Sequence, residues 1–409
     1  MNSGIIIGNW NGSIDILGNQ LEVNVQFTQE SDFLGSISIP AQNLSDFPLV
    51  NIKLEDTNIY FEMPIPNQQI TFSGKIDEDQ IEGLFVQHGQ SFPFQLIKAE
   101  GTPTQNGSNL EDSETFLTID TEHGKLYGSL VLPEGDTRCP VVLIIPGSGP
   151  TDRDGNSVLL PGKNNSLKML AQALAEHGIA SLRYDKRGAG KNAQAVPPEI
   201  DTRFDLFIHD ATQWVNTLKN DSRFTKVGVI GHSEGSLVGM VAAKLAGADS
   251  YVSIAGAGRP INEVLKEQLA GAPEELRGLI HTILANLTTG KTTDEIDEKL
   301  AHLFRPSVQP YLISWIKYDP TEEIAKLDIP VLIINGTHDI QVAVKDAQRL
   351  KAAKDDASLL IIENMNHVFK EAPADPQENI KTYSDPSLPL ANGFVEGLIK
   401  FYKNSLVKN

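Results

Sequence analysis

The chain has 409 residues, of which 40% are apolar and 21% charged, with a formal net charge of −19. That length accommodates two or three domains with buried cores. Such acidity repels phosphate backbones and anionic lipid surfaces, so nucleic-acid binding is not expected. The longest apolar runs, such as VVLII at 141–145, fall far short of the roughly 20 residues that span a bilayer, so no membrane insertion is expected. Cys139 is the only cysteine, which rules out an internal disulfide and suits a reducing compartment. The start, MNSGIIIGNW, has no early positive charge, the first basic residue being Lys53. No secretory signal is visible, so a cytoplasmic setting is favoured and export is left open.

Residues 1–100 predict a β-rich domain and hold 13 acids and 3 bases, about half of the net charge. In LEVNVQF, apolar Leu21, Val23, Val25 and Phe27 alternate with polar residues, which is the period of a strand. VNIKLE, IYFEM, ITFSGKI, GLFVQ and FPFQLIK follow the same pattern, with turn residues such as Gly18-Asn19 and Gly89-Gln90 between runs. A small antiparallel sandwich or barrel is expected, with Gly8, Gly12, Gly35, Gly74 and Gly83 serving turns and bulges. Residues 101–113, GTPTQNGSNLEDS, have no apolar run and predict a linker.

From residue 114 the rhythm changes. TFLTID and GKLYGSLVLP predict a hairpin. Apolar strands (PVVLIIPG, IASLRYD, KVGVIGHS, SYVSIAGA, IPVLIING, ASLLIIEN) then alternate with amphipathic helices (SLKMLAQALAEHG, FDLFIHDATQWVNTLKN, GSLVGMVAAKLAG). This alternation predicts an α/β unit, a mostly parallel sheet with helices on both faces, over 114–258 and 326–409. Residues 259–325 contain no buried strand and exceed one crossover. They predict a helical cap, with helices near 261–271, 274–288, 293–304 and 309–317.

Gly231-His232-Ser233-Glu234-Gly235 lies between a predicted strand and a predicted helix. G-x-S-x-G in that context is a nucleophile elbow. Its glycines permit a sharp turn that lifts a serine hydroxyl to the amino end of the helix, where free N–H groups favour developing negative charge. A serine needs a base, and on this fold an acid and a histidine follow it in chain order. Asp339 follows the strand of IPVLIING, and His367 follows that of ASLLIIEN. Of nine histidines, only His367 lies beyond Asp339. The expected triad is therefore Ser233, Asp339 and His367. His232 is rejected as the base because it is the serine's own neighbour on the turn, and His338 is read as shaping the Asp339 loop. The oxyanion donors are expected to be the backbone N–H of Glu234 and, from the loop PGSGPTDRDGN, that of Ser148, with Gly149 as the alternative.

Five segments carry a family resemblance: PGSGPTDRDGN (146–156), YDKRGAGKN (184–192), GHSEGS (231–236), NGTHDIQV (335–342) and NMNHVFK (364–370). With them, residues 114–405 resemble the α/β-hydrolase superfamily. More narrowly, the chain resembles bacterial two-domain serine carboxylesterases with a β-rich amino-terminal domain, through GNWNGSI and SISIPAQN as well. The resemblance implies hydrolysis of short- to medium-chain acyl esters through an acyl-enzyme, with no cofactor, no metal and a small-molecule ester as partner. A homo-oligomer is left open. Two other readings also stay open. One is a different acyl hydrolase or transferase on the same triad, acting on thioesters, lactones or peptides. The other is a non-catalytic binding protein on a hydrolase fold.

Three further features have structural readings. DRDGN (152–156) alternates Asp152, Asp154 and Asn156 but lacks the later ligands of a calcium loop, so a loop held by Arg153 ion pairs is expected. YDKRGAGKN lacks phosphate-loop spacing and is read as bracing the site through Asp185 and Arg187. Phe304, Tyr311, Trp315 and Tyr318 form a cap aromatic stripe, which more often packs a core than lines a pocket.

Overall fold

The computed structural model describes residues 6–16, 19–29, 33–39, 44–64, 70–87, 90–99, 115–135, 138–157 and 162–407. The expected linker at 101–113 lies outside these, as do Gly18 and Gly89 of the predicted turns. The described residues fall into two compact units, one holding those up to 99 together with Gly162, the other 115–157 and 163–407.

The first unit is an eight-stranded closed antiparallel barrel. Its strands are β1 (Gly8–Ile16), β2 (Asn19–Gln29), β3 (Phe33–Ile39), β4 (Leu44–Glu55), β5 (Asn58–Met63), β6 (Ile70–Asp77), β7 (Gln80–Gln87) and β8 (Gln90–Lys98). Alternation sets which side chains point inward: Val23, Val25 and Phe27 of β2 are buried, and the residues between them are exposed. Closure comes from β1 pairing with β8, Trp10 opposite Lys98 through Ile14 opposite Phe94. The interior is filled by aromatic rings. Phe61 stacks on Phe72 at 4.7 Å, and Phe94 meets Phe72 edge-on at 5.3 Å. Contrary to expectation, Gly12, Gly35, Gly74 and Gly83 lie inside strands. Gly74 and Gly83 face each other, and a Cβ on Gly83 would fall 2.1 Å from the Ser73 carbonyl oxygen. These positions serve close strand approach in a small barrel, where a side chain has no room.

The second unit is built on an eight-stranded sheet. Its strands are β9 (Thr115–Thr121), β10 (Gly124–Val131), β11 (Cys139–Ile145), β12 (Ala180–Tyr184), β13 (Phe224–His232), β14 (Ser250–Ile254), β15 (Val331–Gly336) and β16 (Ser358–Ile362). Their spatial order is β16-β15-β14-β13-β11-β12-β10-β9. β9 and β10 form an antiparallel hairpin, β10 runs antiparallel to β12, and the rest are parallel.

Period-two alternation feeds two cores. Val141, Leu143 and Ile145 of β11 pack with α2 (Phe204–Lys219) and α3 (Glu234–Ala246). Val142 and Ile144 pack on the other face with α1 (Ser166–Glu176). Between β14 and β15 lie α4 (Ile261–Gln268), α5 (Glu274–Thr288), α6 (Ala301–Phe304), α7 (Gln309–Ile316) and α8 (Pro320–Ala325). The first four enclose their own apolar cluster around Ile280, Leu287, Phe304 and Leu312. The helix expected at 293–304 is mostly absent: only Ala301–Phe304 is α-helical, after a single 3₁₀ turn at Glu298–Leu300. The Gln309 side chain accounts for this, since its amide accepts from Thr293 N–H (2.7 Å) and donates to the Thr293 carbonyl (2.7 Å). These backbone groups are thereby satisfied without helix. The remaining helices are α9 (Val344–Ala353), α10 (Pro376–Lys381) and α11 (Phe394–Tyr402). No helix among the described residues is long and apolar enough to cross a membrane.

Candidate active site

The carboxyl ends of the parallel strands lie along one edge of the sheet, the usual position for a site on an open α/β sheet. Ser233 follows β13 and caps α3 in an unusual conformation, φ 55° and ψ −120°. A non-glycine residue with positive φ is strained and persists only where its surroundings enforce it. Those surroundings are tight. A Cβ on Gly231 would lie 2.1 Å from the Gly235 carbonyl oxygen, and one on Gly235 would lie 2.4 Å from that of Pro146. The two glycines therefore let the turn close against the end of β11. Ser233 itself remains partly accessible.

Asp339 follows β15 and His367 follows β16, and the structure joins them: His367 Nδ1 lies 2.8 Å from Asp339 Oδ2. A carboxylate only accepts, so Nδ1 carries a proton, and in the neutral ring the lone pair is on Nε2. The other oxygen, Oδ1, accepts the backbone N–H groups of Gln341 (2.8 Å) and Val342 (2.9 Å). The Asp339 side chain is fully buried and that of His367 nearly so. The His367 loop is itself pinned. Asn366 Oδ1 accepts from the N–H groups of Val368 and Lys370, and Ser166 Oγ donates to the Val368 carbonyl.

His232 turns away from the reacting face, and its Nε2 donates to the His367 carbonyl at 2.9 Å. Burial, with the nearby His367 ring, lowers its pKa from 6.5 to about 3, so it stays a neutral donor. It ties the elbow to the loop that carries His367. His338 holds the neighbouring loop, its Nδ1 2.6 Å from the Ala372 carbonyl.

The loop after β11 lies beside the elbow: a Cβ on Gly147 would sit 3.3 Å from Ser233 Cβ. Thr151 shapes it, its hydroxyl donating to the Ser148 carbonyl and its N–H to that of Gly149. Ser148, Gly149, Ser233 and Glu234 line one cavity of about 370 Å³. Its other walls include Leu237, Val264, Leu265, Leu303, Leu312 and Trp315, mostly from the inserted helices. Of the cap aromatics, Trp315 lines the cavity, Phe304 is fully buried, and Tyr318 donates to Asp205.

The DRDGN loop is held both by its own hydrogen bonds and by ion pairs to the β12 region. Asp152 accepts from the backbone of Asp154 and Asn156, Arg153 pairs with Asp185 at 3.1 Å, and Asp154 pairs with Arg183. Arg187 clamps Asp210 through Nε (2.6 Å) and Nη2 (2.7 Å). Burial raises the pKa of Asp185 and Asp210 against the pull of their arginines. Cys139 is buried, and burial pushes its thiol pKa up.

One group escaped the sequence reading, which assigned the bracing of YDKRGAGKN to Asp185 and Arg187. Lys186, between them, reaches the carboxylate of Glu234, which also receives the hydroxyl of Tyr311. The only signal was a lysine at the end of an apolar strand.

The sheet order, the elbow on the strand before α3 and the joined aspartate and histidine at the ends of later strands form one recognisable architecture. The Est1E structure from Butyrivibrio proteoclasticus, with ferulic acid bound, superposes with a TM-score of 0.50 at 19% identity, covering 71% of this chain and all of that one. The second unit has the α/β-hydrolase fold.

Residues 158–300 match the family model described as serine aminopeptidase, S33. The chain is 27% identical to esterase EstD of Thermotoga maritima over 389 residues, 91% of this chain and 88% of EstD. It is 24% identical over 243 residues to 2-hydroxy-6-oxo-6-(2'-aminophenyl)hexa-2,4-dienoic acid hydrolase of Metapseudomonas resinovorans, 56% of this chain and 77% of that one. The likeness to EstD runs through the amino-terminal region as well as the α/β unit.

Proposed function

We propose that this α/β hydrolase, a carboxylic ester hydrolase, acts on short- to medium-chain acyl esters with Ser233 as its nucleophile. The observation that carries this reading is the buried Asp339–His367 pair at 2.8 Å, on the same edge of the sheet as the elbow serine. The relationship to EstD supports the ester class.

In this mechanism Ser233 Oγ attacks the ester carbonyl carbon as His367 Nε2 takes its proton. Asp339 holds the tautomer and stabilises the imidazolium. The N–H groups of Glu234 and Ser148 receive the oxyanion, with Gly149 as the alternative to Ser148. The carbon–oxygen bond to the alcohol breaks, and His367 returns the proton to the leaving oxygen. Water, deprotonated by His367, then attacks the acyl-enzyme and releases the acid, restoring Ser233.

Cavity chemistry favours an ester over an amino-terminal peptide. A peptide's ammonium group needs a free carboxylate nearby. Among the described lining residues the only carboxylate is Glu234, already engaged by Lys186 and Tyr311. The leucines, Val264 and Trp315 among the walls suit an acyl chain.

The test is hydrolysis of p-nitrophenyl esters of two to sixteen carbons by wild type and Ser233→Ala. Wild type should cleave short and medium chains and fall away at sixteen. Loss of the serine should lower kcat on the order of a million-fold. Equal inactivity of both proteins, with no labelling of Ser233 by a fluorophosphonate, would overturn the reading.

A further inference from the structure

Two loops meet at the elbow, and one buried cation touches both. Lys186 lies on the loop after β12. Its Nζ donates to Glu234 Oε1 at 2.5 Å and to the Gly147 carbonyl at 3.1 Å, and packs over the Phe207 ring at 4.5 Å. Its backbone N–H donates to the Thr151 carbonyl at 3.1 Å, and Thr151 in turn shapes the Ser148–Gly149 turn. Lys186 and Glu234 expose 5% and 2% of their side chains. Glu234 Oε2 accepts from Tyr311 Oη at 2.7 Å. Tyr311 lies on α7, whose Leu312 and Trp315 line the cavity.

Stability alone is a weak reason to bury such a pair, because well-packed apolar residues often do as well. Placement offers a better one. Gly147 precedes Ser148, and Glu234 carries its own N–H at the head of α3. The lysine therefore joins the two segments expected to supply the oxyanion donors. A displacement of about 1 Å at such a site costs on the order of 100-fold in rate.

We propose that Lys186 and Glu234 are positioning residues that set the spacing of the oxyanion hole, and that Tyr311 ties this spacing to the cap helix lining the pocket. The inference rests on Ser233 being the nucleophile of an esterase. It predicts that acyl groups pressing on Leu312 and Trp315 influence turnover as well as binding.

The experiment compares wild type, Ser233→Ala, Lys186→Met, Glu234→Gln, the double variant K186M/E234Q and Tyr311→Phe on p-nitrophenyl butyrate and octanoate. It measures kcat, KM and Tm. The two single variants should lose about 10- to 100-fold in kcat, with KM within about threefold. Each leaves a buried charge without its partner, so Tm should fall. In the double variant no unpaired charge remains, so Tm should recover while kcat stays low. Recovery of kcat together with Tm, or single variants that keep wild-type kcat, would overturn the positioning role. Tyr311→Phe should lose more kcat on octanoate than on butyrate, and an equal loss would overturn the link to the cap. A wild type that hydrolyses esters while Ser233→Ala does not, yet is indifferent to Lys186 and Glu234, sinks only this inference. A wild type with no esterase activity sinks the reading beneath it as well.

Discussion

The two units solve the problem of a stable interior in opposite ways. Among the described residues, the barrel buries apolar side chains only: Trp10, Phe27, Phe61, Phe72 and Phe94 fill it, and no polar or charged residue there is buried. The α/β unit buries charged and titratable side chains, among them Arg153, Asp185, Lys186, Arg187 and His367 on loops and Asp210 and Glu234 on helices. Removing charges from water is unfavourable, and pairing them roughly restores the balance. What the pairs add is direction, since each charged hydrogen bond holds a loop in one place. The barrel is packed for cohesion alone, and the α/β unit accepts an expensive interior where geometry has to be held.

The sharpest way to break this contrast is Asp339→Asn. The shape of the side chain is kept, but the imidazole no longer has a carboxylate to fix its tautomer. Turnover of p-nitrophenyl butyrate should fall about 10⁴-fold, with little change in Tm. A loss of Tm with intact turnover would mean that the buried polar groups serve stability after all. Next in size is Phe61→Ala in the barrel. Deleting a buried ring from a filled interior should cost about 3–5 kcal/mol of barrel stability, read by calorimetry. Turnover, measured below the unfolding transition, should stay within about twofold of wild type. A collapse of kcat would give the barrel a part in the chemistry. The smallest effect concerns His232, whose folded pKa of about 3 lies below its ordinary 6.5. The unfolded chain binds this proton first, so the contribution is full above about pH 6.5 and is lost as pH falls toward 3. His232→Gln keeps a donor without titrating. The variant should therefore lose less Tm than wild type between pH 7 and pH 4, and parallel Tm curves would refute the assignment.

What the sequence disclosed depended on how local each requirement was. The elbow was legible because Gly231 and Gly235 answer a steric demand within five residues. Strand alternation placed Val23, Val25 and Phe27 inside the first unit, but barrel closure depends on Trp10 meeting Lys98, a pairing that no local pattern encodes. The chain order of Ser233, Asp339 and His367 pointed to three loops, and two of those residues now stand in contact. The Lys186–Glu234–Tyr311 bridge gave no spacing signal, because its members come from three separate elements. The over-long helix at 293–304 failed for a related reason: a glutamine sixteen residues away from Thr293 supplied its hydrogen bonds.

The positive φ of Ser233 also restricts which alcohol can stand there. A threonine carries the same hydroxyl, but branching at Cβ fits poorly in that conformation. Selection at position 233 is thus stereochemical before it is chemical: the corner admits an unbranched side chain and turns away a close chemical equivalent.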